Sequence, residues 1–258
     1  MNNKTNIFDV VSYILISLLV IVLFYSFIKI IYLHINRIPR NSVNVSPITG
    51  EILSPVSSSR EAIEVTYSQF KDLESFSGIN KANLIYEYID PKLGHIYKTV
   101  FYDTPPGNNY PVLNIEKIPL LELPKLNFSS ALDEKIGSFD SANSVYLKIN
   151  GLISSSFLFE NGEYIYYKDK TPERDLNDGK KITVSNIILQ LSKEEYPNKT
   201  TTGSGEGFLF MAGKVIKINW KKESSPIRFY DENGNEISLV KGKTWFAIGN
   251  KETSVVYD

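Results

Sequence analysis

The sequence predicts a β-rich α+β protein in which an N-terminal transmembrane helix precedes a soluble body built on a mostly antiparallel sheet. Three observations carry that expectation. Residues Val10 to Ile28 run without a charge between Asp9 and Lys29. Beyond them, short β-branched and aromatic segments recur between turn signals, as strands of an antiparallel sheet do. Five prolines between Asp103 and Ser144 rule out a long helix there. The 258 residues suffice to bury a real core.

Taken in order, the first element is the apolar stretch 10–28. As a helix it would reach roughly 28 Å, close to the ~30 Å of a bilayer core. Val10, Leu18, Leu19, Phe24 and Ile28 are then the lipid-facing anchor. No small-residue cleavage site follows, and the helix is expected to run into the interface as far as Pro39. Residues 1–40 thus read as an uncleaved anchor. Lys29, Arg37 and Arg40 outnumber Lys4 and the amino terminus, which favours a cytoplasmic body; the short N-terminal tail favours export. Residues 41–60, with six Ser and two Pro, read as a linker.

The body divides into 61–130, an N-terminal α/β part, and 131–258, a β-rich C-terminal module. Ala62 to Tyr67 alternates as a strand. Leu84–Ile89 and His95–Tyr102 form a hairpin around Asp90-Pro91-Lys92-Leu93-Gly94. The proline-rich stretch after Asp103 is expected as an irregular covering layer. Phe157–Glu160 and Glu163–Tyr167 flank Asn161-Gly162, the pair a type I′ turn demands. Asp178-Gly179 turns the chain before Ile182–Leu191. Strands follow at Phe208–Met211, Val215–Trp220, Ile227–Tyr230, Glu236–Leu239 and Thr244–Ile248.

Composition excludes much chemistry. Zero Cys removes thiolate catalysis and Cys-ligated metals, and two His leave little for a metal site, so no metal and no cofactor is expected. Outside residues 1–40, 24 basic residues face 28 acidic ones, which is no nucleic-acid footprint. Gly203-Ser204-Gly205-Glu206-Gly207 lacks the third glycine of a dinucleotide fingerprint and precedes a strand rather than a helix. His95 is the one base available to a serine nucleophile in the body, and no G-x-S-x-G elbow accompanies it. A strand histidine of this kind is more often a satisfied structural residue. Glu206, Asp231, Glu232, Asp175 and Asp178 leave paired-carboxylate chemistry open, although most sit in turns. No catalytic residue is assigned.

Trp220, Phe229, Tyr230, Trp245 and Phe246 cluster in the C-terminal strands with Arg228 among them. Core packing is the plain explanation of such aromatics. Alternation sets Arg228 and Tyr230 on the face opposite Phe229. Arg228, Tyr230, Trp220, Trp245 and Glu206 are therefore the candidate binding residues.

The run Ser225-Pro226-Ile227-Arg228-Phe229-Tyr230-Asp231-Glu232-Asn233-Gly234-Asn235-Glu236-Ile237, with Gly203 to Gly207, Gly213-Lys214-Val215-Ile216 and Gly242-Lys243-Thr244-Trp245, closely resembles the C-terminal part of the YerB-like lipoproteins of Gram-positive bacteria. Pro47 to Gly50, Ser77 to Glu87 and Thr183 to Gln190 resemble further landmarks in the same order. The resemblance implies a cell-envelope protein of unassigned activity at the outer face of the membrane. Two departures stand out. A lipidated cysteine is replaced by the apolar stretch 10–28. Glu116 to Lys125 stands where the family carries a Gly-Pro-Val-Arg-Ser-Ala-Arg motif, so both arginines are missing.

The expected function is a membrane-anchored, single-pass, extracytoplasmic and non-catalytic binding or scaffold module. Its partners would be membrane lipid through residues 10–28, and another membrane protein or a cell-wall component. Two alternatives stay open: an enzyme acting on cell-wall glycan or peptide through carboxylates, and an interaction domain facing the cytoplasm.

Overall fold

The computed structural model describes residues 15–29, 44–53, 61–68, 76–107, 112–129, 136–224 and 226–258. The chain falls into two compact units, Met1–Val43 and Asn44–Asp258. In the first, residues 15–29 form a helix. Among the described residues no helix is long and apolar enough to cross a membrane. This corrects the expected transmembrane helix: at 1.5 Å per residue the described helix rises only about 22 Å against the ~30 Å required. Leu18, Leu19, Phe24 and Ile28 lie on it with exposed side chains, and Val10 lies outside the described residues.

In the second unit the strands begin with β1 (Ala62–Ser68), β2 (Leu84–Asp90), β3 (Gly94–Phe101), β4 (Asn114–Ile118), β5 (Asn127–Phe128) and β6 (Asp140–Ser141). Next come β7 (Ser144–Ile149), β8 (Ile153–Glu160), β9 (Glu163–Lys168), β10 (Thr171–Pro172), β11 (Thr183–Val184) and β12 (Asn186–Leu191). The last are β13 (Gly203–Met211), β14 (Lys214–Lys222), β15 (Arg228–Tyr230), β16 (Ser238–Leu239), β17 (Thr244–Gly249) and β18 (Ser254–Tyr257). Ile79–Lys81 and Leu120–Glu122 are short 3₁₀ pieces, and Ile136 has α-helical backbone. Among the described residues the body is thus β-rich, most of it in sheets.

The large sheet runs β15, β14, β13, β12, β17, β2, β3, β1, β4, with β6 beside β14. Its flanks are antiparallel pairs. The centre is not: β12 and β2 both pair parallel to β17. Strands buried on both faces carry continuous apolar runs, and β12 and β17 are almost wholly buried in this way. The small sheet runs β10, β9, β8, β7, β18, with β11 against β9. Asn161 and Gly162 join β8 to β9 with φ of 53° and 90°, the left-handed pair that a type I′ turn requires.

Strand alternation divides the large sheet into two apolar faces. One carries Tyr97, Phe101, Leu189, Phe210 and Trp245 and packs on Val145, Phe157 and Tyr166 of the small sheet. The other carries Tyr86, Ile96, Ile188, Leu209 and Trp220, and is covered by loop residues Ile48, Leu123, Leu126 and Ile237. The irregular layer expected after Asp103 supplies part of that cover. Residues 44–53 pack on the body: Ile48 is fully buried, and the Ser46 carbonyl accepts from the Gly50 amide at 3.0 Å. Residues 44–258 form one compact unit, in which β2 pairs with β17 across the large sheet.

Candidate functional site

The five candidate residues are not brought together. Trp220 is buried on the loop-covered face and donates its indole Nε1 to the Leu191 carbonyl at 2.8 Å. Trp245 is buried on the opposite face and donates to Glu87 Oε2 at 2.9 Å. Glu206, Asn219 and Tyr230 lie side by side in register across β13, β14 and β15. Arg228 sits one row away and holds Glu236 Oε1 at 2.6 Å. Asn127 and Arg228, as hydrogen-bond donors, keep the Glu236 carboxyl below its ordinary range.

The serine nucleophile question is answered by Glu87. This carboxylate is fully buried between the sheets. Its Oε1 accepts from Ser155 Oγ at 2.5 Å and meets His95 Nε2 at 2.8 Å. Tyr97 and Tyr166 share a hydroxyl pair beside it at 2.9 Å. Ser155 and Glu87 are both 0% exposed, so no substrate reaches them. The cluster does for a buried charge what such a charge needs, a full set of donors. It is structural. Other acids behave alike: Asp175 receives the Gly78, Asn80 and Asn177 amides, and Asp231 those of Asn233 and Asn235. Among the described residues no three metal-ligating side chains gather.

A different arrangement forms on the loop-covered face. Glu64 lies on β1 between β3 and β4, so its side chain enters this face beside Lys98 of β3. Glu64 is fully buried. Its Oε1 accepts from Lys98 Nζ at 2.7 Å and its Oε2 from Lys199 Nζ. Lys199 arrives on the loop between β12 and β13, which is braced locally. The Asn198 amide donates to Thr201 Oγ1 at 3.0 Å and the Thr200 amide to Asn198 Oδ1 at 2.8 Å. Lys222 Nζ then clasps the Lys199 carbonyl at 2.7 Å. Burial, and next the Lys199 charge, lower the Lys222 pKa below the usual lysine value.

This carboxylate and its two ammonium groups divide two spaces. On one side is an enclosed cavity of about 10 Å³, bounded by Glu64, Gln190, Lys199 and Lys222, with room for one water. On the other is an open cleft of about 530 Å³ with Tyr88, Ile96, Lys98, Asn114, Asn198 and Lys199 among its walls. That is the size of a small-ligand site, with an apolar floor and a few converging polar groups. Sequence reasoning missed it, because Lys98 and Lys199 are ordinary lysines until the loop folds over β3.

A two-sheet β body whose described residues include an open cleft with a few polar groups and no accessible catalytic set defines a class by its fold and not by its chemistry. Residues 145–246 match the family described as the C-terminal domain of a protein of unknown function, DUF3048. Among solved structures the chain is similar to the YerB protein from Bacillus subtilis. The TM-score is 0.61 and the identity 15%, with 82% of this chain and 99% of that chain covered. At that identity the likeness is one of fold. No curated protein matches the sequence. The YerB-like resemblance is borne out by both matches; the transmembrane anchor attached to it is not.

Proposed function

We infer that the body is a non-catalytic binding module of the cell envelope, with its ligand site in the cleft beside Lys98 and Lys199. The observation that carries this reading is the contrast between two buried glutamates. Glu87 is sealed, with Ser155 and His95 turned inward on it. Glu64 instead holds two lysines at the wall of an open cleft. Nothing among the described residues favours the glycan-acting enzyme: Asp175 ties the Gly78 and Asn80 amides to its own turn, and Asp231 serves the turn that contains it.

The YerB-like resemblance supports a body outside the cytoplasm, at the cell membrane. Exposed apolar side chains on residues 15–29 support contact of that unit with membrane lipid. The ligand is an envelope component or a second membrane protein.

Co-purification of the full chain from native cell envelopes tests the binding reading. Wild type is expected to recover a partner or an envelope polymer, and recovery is expected to fall with Lys98→Gln or Lys199→Gln. An empty preparation overturns it. Location is tested with Asn161→Cys, an exposed turn position in a chain without cysteine. Labelling by an impermeant thiol reagent in intact cells is expected; labelling only after lysis overturns an external body.

A further inference from the structure

We propose that the cleft binds an oxyanion, a phosphodiester or a carboxylate, carried on a hydroxyl-rich envelope polymer, with Lys98 and Lys199 as its ligands. The proposal rests on the binding-module reading and specifies its ligand.

The charge count is the first support. Glu64 is 0% exposed, and Lys98 and Lys199 are only 22% and 15% exposed at the side chain. Two largely desolvated cations therefore share one buried anion. Glu116 approaches Lys98 at 4.0 Å but is 47% exposed, so water screens it. Asp90 also borders the cleft, and its Oδ1 is engaged by the Lys92 and Leu93 amides at 2.8 and 2.9 Å. An anion arriving in the cleft meets the two ammonium groups where the dielectric is low and the attraction strong, against the repulsion of the Glu116 and Asp90 carboxylates beside it.

Hydrogen-bonding capacity is the second support. Each ammonium has three donors. Glu64 takes one from each lysine, and both Nζ-bearing side chains line the cleft. The geometry is prepared before any ligand arrives, because the clamp on Glu64 removes side-chain freedom that binding would otherwise have to remove. Ammonium groups act as point charges and suit phosphate or single carboxylate oxygens; the planar bidentate fork of arginine is absent here.

The third support is the remainder of the wall. Asn114, Asn198 and Thr200 rim the cleft, and Tyr88 and Ile96 floor it. Amide and hydroxyl groups above an apolar floor match a chain that alternates hydroxyls with C–H surface. A cleft of about 530 Å³ admits one or two units of such a chain.

Purified full-length protein is titrated with poly(glycerol phosphate), with polygalacturonate and with neutral dextran. At least one anionic polymer is expected to bind and dextran is not; the two anionic arms separate phosphodiester from carboxylate. Lys98→Gln and Lys199→Gln are each expected to weaken binding about tenfold, the size of one lost charge-assisted hydrogen bond. Wild type supplies a readout independent of folding in the variants. Bound polymer is expected to shield Lys98 and Lys199 from amine acylation while Lys117, 70% exposed, reacts as before. Equal binding of dextran, or unchanged acylation of both lysines under bound polymer, overturns the proposal. If neither anionic polymer binds while envelope co-purification still recovers a partner, the oxyanion assignment alone falls. If both are empty, the binding-module reading falls with it.

Discussion

Ser155 on β8 donates to Glu87 Oε1 on β2 across 2.5 Å, tying the small sheet to the large one at a point closed to solvent. His95 and the Trp245 indole complete the set around the same carboxylate. Glu87→Ala is expected to leave these donors unmatched inside the protein and to cost about 3–5 kcal/mol. Glu87→Gln keeps an acceptor and should cost less. Urea unfolding measures both, and an unchanged midpoint for the alanine variant would contradict the assignment.

Gly205 and Gly207 matter as strand residues and not as a phosphate cradle. A Cβ on Gly207 would lie 2.1 Å from the Leu189 carbonyl oxygen, and one on Gly205 2.3 Å from that of Leu191. Gly207→Ala therefore forces β13 away from β12 and is expected to cost about 2 kcal/mol or more. Gly94 has open space and a φ of +76°, so Gly94→Ala should cost only about 1 kcal/mol. Thermal unfolding of the two variants checks the order.

Alkaline pH should unfold the protein steeply. Burial raises the pKa of Tyr67, Tyr86, Tyr88, Tyr97, Tyr164 and Tyr166 above 10.0. Above that value the unfolded chain has released phenolic protons that the folded chain retains. Stability then falls as pH rises, by up to about 1.4 kcal/mol per pH unit for each tyrosine. Lys243 acts in the opposite sense below pH 10.5, since burial lowers its pKa. Melting temperatures measured from about pH 8 to about pH 11 should drop sharply only past tyrosine ionisation; a flat profile would contradict this.

Arg228 offers a separable test of the other candidate face. Its ion pair with Glu236 is 42% and 29% exposed at the two side chains, so Arg228→Ala is expected to cost less than about 1 kcal/mol. Any loss of envelope recovery in Arg228→Ala or Tyr230→Ala would then report binding at that face directly. Chemical denaturation run beside the co-purification keeps the two effects apart.

Local chemistry made the hairpins readable. Asn161-Gly162 and the Asp90 to Gly94 turn hold the strands the residues suggest. β7 and β18 went unread, as did the parallel centre, because Leu84 and Thr244 meet through pairing that no local pattern encodes. The site was harder. Glu64 and Glu87 look like solvent-facing charges in strands, yet both are fully buried. One signal was present: Glu87 interrupts the run Leu84-Ile85-Tyr86 and Tyr88-Ile89, where a charge implies matched partners. Lys199 carried none, since its place depends on a loop crossing the sheet.

The parallel pairing of β17 between β12 and β2 bears on the order of synthesis. Residues 244–249 form the middle of the large sheet and are made after both of the strands they join. Until then the inner edges of β2 and β12 present open backbone groups, which invite pairing with other chains. The nascent protein must keep two half-sheets apart until β17 has been made. Aggregation of chains truncated before Thr244 is what that late closure entails.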